Sequence, residues 1–277
     1  MRFTKMHGCG NDYVYVNCIA ETIQNRNSFA KKISDRHFGI GSDGLICIDS
    51  SDVADFKMDM YNSDGSQGKM CGNGIRCVGK YVFDYGLTDK TTITVETLGG
   101  IKTLYLHVNN HVVESVRVCM GSPEFRPACI PVRTEGEAFL SQKLEVDGRT
   151  WILSCVSMGN PHAVTFVEDI DGLNLSEIGP QIEQHSLFPE RTNVEFVQVV
   201  NDKVLKMRVW ERGSGETLAC GTGTCASLVI SALLGKTKHN AVVEVRGGEL
   251  EIEWDRASNL VYMTGPAAIV FEGEIKE

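Results

Sequence analysis

The chain lacks what nucleic-acid binding asks for. Of its 277 residues, 27 are Lys or Arg against 36 Asp or Glu, a formal net charge of −9. A nucleic-acid partner would call for a basic face. Long apolar runs are missing too. A membrane helix needs roughly 20 apolar residues, and the nearest approach, Ala226–Leu234, is short and carries Ser227 and Ser231. The opening MRFTKMHGCGNDYV has no apolar core of an export signal, so a cytoplasmic protein is expected. Ten cysteines are present but no CxxC pair, and Cys71/Cys77 and Cys220/Cys225 are spaced too widely for a zinc knuckle. There is no Rossmann fingerprint and no P-loop. The expectation is a reducing compartment, thiols that are mostly small buried hydrophobes, and no metal or cofactor.

What is present is written twice. MCGNGIRC (70–77) and ACGTGTCA (219–226) each open an apolar helical pattern with Cys-Gly-x-Gly, and Cys71 and Cys220 are 149 residues apart. At that offset YNSDGSQGKMCGNG (61–74) lies over WERGSGETLACGTG (210–223) without a gap. Gly10-Asn11 lies over Gly159-Asn160, and Gly44 over Asn193. Internal repetition of this kind means a duplicated structural unit. Periodicity predicts, in the first half, a strand over Tyr13–Cys18 and a helix over Ser28–His37. Strands follow over Leu45–Ile48 and Phe56–Tyr61, then a helix over Gly74–Tyr85 stopped by Gly86, and strands near 91–96, 101–106 and 111–119. The second half predicts the same order: strand 162–167, helix 176–185, strands 193–200 and 204–210, a helix over 223–234 stopped by Gly235, and three more strands near 241–246, 249–254 and 259–264. The second helix of each half is apolar nearly all round, so it belongs in a core. The fold class expected is α+β: two pseudo-symmetric halves, each a mostly antiparallel, barrel-like sheet wrapped around a central helix. The halves are placed at 1–119 and 120–263, with 264–277 returning to the first. The Pro-bearing segment 120–150 reads as the crossing between them.

Each Cys-Gly-x-Gly turn brings a strand to a helix start. The first turn leaves N–H groups unpaired and carries a partial positive charge, and glycine permits close approach of a ligand. Each motif is thus a potential anion site, and the dipole is expected to lower the pKa of the cysteine there. A duplicated fold is expected to turn both helix starts toward one cleft, with Cys71 and Cys220 flanking the carbon beside a bound carboxylate. Two thiols so placed suit inversion of a stereocentre, one group taking an α-proton and the other returning one to the opposite face. N–H donors in a dry cleft would stabilise the developing carbanion.

The motifs MHGCGNDYV, YNSDGSxxxMCGNGIRC, SMGNPHAV, RTNVEFV and WERGSGETLACGTGTCA run in order over nearly the whole chain. Together they resemble the diaminopimelate epimerase family. The resemblance implies cofactor-independent interconversion of LL- and meso-2,6-diaminopimelate, on the route to lysine and cell-wall peptide, by a homodimer. It makes Cys71 and Cys220 the acid/base pair, assisted by His162 and Glu211. It places Asn11, Asn62, Asn160, Asn193, Glu211 and Arg212 on the polar ends of the substrate, and the N–H groups of Gly72, Asn73, Gly221 and Thr222 on the reacting carboxylate. An arginine can hold the distal carboxylate bidentately. Some members of the family carry a polar side chain where this chain has Gly44.

Other readings compete. A proline or hydroxyproline racemase shares the fold, but Arg212 with Glu211 favours a substrate with a second charged end. A phenazine-type isomerase replaces the cysteine chemistry, and both cysteines are present here. A redox-sensing dithiol and a non-catalytic amino-acid-binding protein are the rivals from other classes. Asp43 and Asp64 read as turn formers, His37 as a helix cap, and His107, His111, His185 and His239 as surface histidines. The other eight cysteines read as structural.

Overall fold

The computed structural model describes residues 1–276. Two compact units make up the chain: Met1–Cys119 together with the segment from Thr264 onward, and Met120–Met263.

The first unit contains β1 (Arg2–Gly8), β2 (Asn11–Asn17), α1 (Arg26–Ser34), β3 (Gly44–Asp49), β4 (Phe56–Asn62), β5 (Gln67–Gly68), α2 (Gly72–Asp84), β6 (Thr92–Glu96), β7 (Lys102–Asn109) and β8 (Val112–Gly121). The second contains β9 (Gln142–Val146), β10 (Arg149–Ser157), β11 (Pro161–Phe166), α3 (Leu175–Glu183), β12 (Asn193–Asn201), β13 (Val204–Glu211), β14 (Gly215–Thr217), α4 (Gly221–Leu233), β15 (Asn240–Val245), β16 (Gly248–Asp255) and β17 (Leu260–Pro266). The chain then returns to the first unit as β18 (Ala268–Glu274), antiparallel to β1.

The α+β class stands: among the described residues strands dominate, and two of the four α-helices are central. Most ladders are antiparallel, but each unit has two parallel ones, where a helix carries the chain back over the sheet. These are β2–β3 and β4–β6 in the first unit, and β11–β12 and β13–β15 in the second. The periodicity reading also missed the opening strand of the first unit and the first two strands of the second. In β1, Lys5 is buried because it pairs with Asp12 at 2.6 Å, so the polar/apolar alternation that marks a strand is lost. β10 is an almost unbroken buried run from Leu153 to Ser157. The segment 120–150 is more than a crossing. Ile130, Val132, Phe139, Leu144 and Val146 sit in the core of the second unit, and β9 pairs with β10.

Helix α2 packs on β1, β2 and β7, and α4 on β10 through β13, β15 and β16. Both are 13 residues long. Their limits differ by the offset of the repeat, and both start two residues earlier than the apolar pattern suggests. The early starts are Gly72-Asn73 and Gly221-Thr222, residues of low helix propensity; the Cys71 side chain caps the first turn of α2 by accepting from the Gly74 N–H, whereas Cys220 holds the N-cap position of α4 without a side-chain cap bond. Ile75, Val78 and Val82 in α2, and Leu228, Val229 and Ile230 in α4, are fully buried. Each contributes about 2 kcal/mol through removal of apolar surface from water. Gly86 (φ 70°) and Gly235 (φ 67°) follow the helix ends in the left-handed conformation that terminates a helix. Among the described residues, no helix is long and apolar enough to cross a membrane.

Candidate active site

Cys71 and Cys220 are the N-cap residues of α2 and α4, both with extended backbone (φ −124°, ψ 118° and φ −118°, ψ 109°). The antiparallel turn-back through β5 or β14 delivers the chain to each helix start. Gly72, Asn73, Gly221 and Thr222 form the first turns, where N–H groups have no partner within the helix.

In the first unit the Cys71 Sγ accepts from the Gly74 N–H (3.3 Å) and donates to Asn11 Oδ1 (3.1 Å). Asn73 Nδ2 donates to the same oxygen (3.4 Å). Asn11, Cys71 and Asn73 are thus brought together, and Tyr13 joins them. Burial pushes the Tyr13 hydroxyl well above its ordinary pKa, and the charges of Cys71 and Asp43 add to this, so Tyr13 is a neutral hydrogen-bonding group beside the thiol. Tyr13 was not singled out from sequence, where it reads as one more strand aromatic. Asn62 ends β4, and its amide donates to Ser66 Oγ (3.0 Å) rather than to this group.

Two assignments made from sequence change here. Asp43 does more than form a turn: it accepts from Asn11 Nδ2 (2.7 Å) and from the Asp12 N–H (3.1 Å), holding Asn11 in place. Burial first, and then the charge of Asp12, raise the pKa of Asp43. His37 does not cap α1; Asp35 holds the C-cap position, and its carboxylate accepts from the His37 and Phe38 N–H groups (2.8 Å each) in the turn beyond the helix. Gly44 leaves no room for a side chain, since a Cβ there would lie 2.0 Å from the Tyr61 carbonyl oxygen and 2.8 Å from the Tyr13 ring. Asp64 does form a turn, accepting from the Ser66 N–H (2.8 Å).

Arg76, fully buried in α2, ties this group to the rest of the unit. It donates to Asn73 Oδ1 (3.1 Å), to the Gly72 and Pro266 carbonyls (3.2 Å each) and to Cys9 Sγ (3.7 Å).

In the second unit Cys220 is buried. The Glu211 carboxylate lies near enough to act on its thiol electrostatically, and the sulfur is 3.5 Å from Thr222 Oγ1. Thr217 Oγ1 donates to the Glu211 carboxylate. Burial, then the charge of Glu195, raise the pKa of Glu211. The expectation of a lowered thiol pKa fails at Cys220. Desolvation pushes the thiol well above its ordinary value, and the charges of Glu211 and Glu195 push it further. A helix dipole worth a fraction of a charge does not offset burial next to two carboxylates.

His162, fully buried, donates from Nε2 to Asn160 Oδ1 (3.0 Å), and its Nδ1 lies 2.7 Å from Glu195 Oε1. Asn193 donates to the Pro161 carbonyl (2.8 Å) and accepts from the Arg212 N–H (2.9 Å). The Arg212 side chain is exposed and donates to the Glu190 carbonyl (3.0 Å). Sequence reasoning also passed over Glu195. In NVEFV it alternates with apolar residues as a solvent-facing residue would, yet it is fully buried. No group of three or more His, Cys, Asp or Glu side chains gathers in a metal-binding arrangement among the described residues.

Comparison with known proteins places this geometry in a family. The family model for diaminopimelate epimerase matches residues 3–126 and 154–270. The diaminopimelate epimerase of Acetivibrio thermocellus is 59% identical over 275 residues, covering 99% of this chain and 98% of that protein. That of Methanococcus maripaludis strain C5 is 55% identical, covering 99% of each. Among solved structures, a PhzF-family phenazine biosynthesis protein of Bacillus anthracis has a TM-score of 0.72 at 19% identity, covering 100% of this chain and 99% of that one. A hydroxyproline epimerase of Agrobacterium vitis has a TM-score of 0.70 at 13% identity, covering 99% and 90%. The last two share the fold alone. The full-length identity to the first two, with a cysteine capping each buried helix, makes this chain a member of the diaminopimelate epimerase family.

Proposed function

We propose that this chain interconverts LL- and meso-2,6-diaminopimelate without a cofactor, moving one α-proton between Cys71 and Cys220. The observation that carries the reading is the pair of cysteine N-caps on equivalent buried helices, in a chain more than half identical to curated diaminopimelate epimerases.

The chemistry follows from the residues. One cysteine, as thiolate, takes the α-proton, so a C–H bond breaks and an S–H bond forms. The electron pair left on carbon spreads onto the carboxylate, where first-turn N–H groups of Gly72, Asn73, Gly221 and Thr222 stabilise it; preorganised donors of this kind are worth several kcal/mol. The other cysteine, as thiol, delivers its proton to the opposite face and is left as thiolate. Asn11, Asn62, Asn160, Asn193, Glu211 and Arg212 hold the polar groups of the substrate. Arg212, whose guanidinium is exposed, is suited to the distal carboxylate. His162 and Glu211 assist proton movement, a role supported by the electrostatic effect of Glu211 on the Cys220 thiol. The same reading has the enzyme work in the cytoplasm as a homodimer, for which the exposed Ile269, Val270 and Phe271 of β18 offer an apolar strand segment.

Incubation with LL-diaminopimelate in deuterated water, followed by mass spectrometry and chiral separation, tests the reading. It predicts one deuterium at one α-carbon and appearance of the meso isomer. No exchange with this substrate rejects it, and exchange of proline instead would favour the racemase alternative.

A further inference from the structure

The repeat supplies an internal comparison. At the offset of 149, Tyr13 lies over His162, Ile46 over Glu195, Asn62 over Glu211 and Gly74 over Gly223. The structure keeps this correspondence. A methyl group on Gly74 would lie 2.6 Å from Ile46 Cδ1 and 3.4 Å from Cys71 Cβ. One on Gly223 would lie 2.8 Å from Glu195 Oε1 and 3.3 Å from Cys220 Sγ. The same niche under each cysteine cap is therefore filled by an isoleucine in one unit and by a glutamate in the other. The first unit shows that the fold does not need a carboxyl group there.

A buried carboxyl group is costly unless paired, and this one is only half satisfied. Oε1 meets His162 Nδ1 at 2.7 Å, while Oε2 is buried with no hydrogen-bond partner. Proton counting restricts the pair. His162 Nε2 must carry its hydrogen to reach Asn160 Oδ1, an acceptor. The Nδ1–Oε1 contact then needs one further proton, on either atom. The pair thus holds one acidic proton and is neutral as a unit, with the carboxyl end toward the α4 start.

We propose that Glu195 is a positioning residue of the second unit: the proton it shares with His162 locks the ring against Asn160, and its carboxyl group beside the α4 start keeps Cys220 as the thiol, the proton-donating member of the cysteine pair, in the resting enzyme. The ionisable groups facing Glu195 and Cys220 come from four neighbouring elements: Cys155 of β10, His162 of β11, Glu211 of β13, and the α4 cap itself. Burial raises the Cys155 thiol to a pKa beyond the physiological range, with Glu195 adding to the shift, so Cys155 brings no charge. Glu211 and Glu195 both act against a thiolate at Cys220. Glu195 Oε1 and Cys220 Sγ approach the same point beside Gly223 closely enough to lie within about 6 Å of each other, so the carboxyl end of the polar pair opposes a second negative charge on the sulfur. In the first unit the residues at the matching positions, Tyr13, Ile46 and Asn62, place no carboxylate by Cys71.

This inference takes its chemical meaning from the epimerase reading, but its test needs no substrate. The rate of iodoacetamide alkylation of Cys220, followed by peptide mass spectrometry over a pH series, reports its thiolate fraction. Glu195→Gln and Glu195→Ile are each expected to move the midpoint down by about one pH unit, a roughly ten-fold faster alkylation below it. Glu195→Asp, which keeps a carboxyl group, should return the midpoint toward wild type, and the kcat/KM pH profile should move with it. An unchanged Cys220 midpoint in folded Gln and Ile variants overturns the proposal. If neither variant folds, the wild-type enzyme decides. With labelled histidine, the ring N–H shared with Glu195 should give a strongly downfield proton resonance, assigned by its loss in His162→Gln. Its absence overturns the shared-proton pair.

Discussion

Gly74 and Gly223 permit a sharp comparison, because Ala at either position adds one methyl group to the same niche of the repeat. At Gly74 the methyl meets the end of an isoleucine, Ile46 Cδ1 at 2.6 Å, and Met58 Cε at 3.3 Å. Apolar side chains can shift, and overpacking of this sort costs about 1–3 kcal/mol. At Gly223 the methyl meets Glu195 Oε1 at 2.8 Å. To give way, the carboxyl group must leave His162, so a buried charge-assisted hydrogen bond, worth about 1.5–3 kcal/mol, is lost as well. The gain in helix propensity on replacing glycine is common to both sites and cancels in the comparison. Gly223→Ala should therefore be about 2 kcal/mol less stable than Gly74→Ala. That gap corresponds to about 4–8 °C in melting temperature for a chain of this size, read by calorimetry at matched concentration. It should also lower kcat more than it raises KM, because Asn160 and Cys220 both lose their orientation. Equal melting temperatures for the two variants, with equal kinetics, would refute the reasoning that Glu195 and Ile46 fill one niche with different energetic stakes.

Two further outcomes follow from the geometry. Cys71→Ala and Cys220→Ala should each abolish epimerisation with little change in the unfolding transition, because each substitution removes only one sulfur atom at a helix start; near-normal turnover in either variant would reject the two-base scheme. Burial alone would raise the pKa of Asp12, but hydrogen bonds from Arg36 and Lys5 outweigh it and the net shift is downward. Its contribution to stability is thus present above the ordinary aspartate value of about 3.9 and lost as pH falls through the lower folded value. The gap in urea midpoint between wild type and Asp12→Asn should close as pH drops from about 6 toward 3, and a gap constant over that window would contradict the assignment.

Much of the fold was legible because duplication checks itself. Cys71 and Cys220, Gly86 and Gly235 were readable as helix starts and stops since each appears twice in the same setting. What stayed hidden has physical causes. Lys5 is buried only through a partner seven residues on, so β1 showed no strand period. Glu195 is a charged residue at a core position, and alternation in a strand cannot distinguish a residue buried against His162 from one on a solvent face. The pKa of Cys220 was misjudged because a helix start is visible in sequence, whereas the desolvation and the neighbouring carboxylates that outweigh it are matters of packing. Asp43 reads as a turn former in sequence because its partner, Asn11 at the start of β2, is 32 residues away.

The return of the chain as β18 has a consequence for how the protein is made. The second unit is one continuous stretch, Met120–Met263, and can assemble as soon as that stretch is available. The first unit cannot. One edge of β1 pairs only with β18, and Arg76 inside α2 spends a hydrogen bond on the Pro266 carbonyl. During synthesis the half that is translated first therefore waits, with a bare strand edge and an unsatisfied buried guanidinium contact, until about 150 later residues have been added. The half translated second is the first that can finish folding, and the nascent chain is most exposed to mispairing in the interval between them.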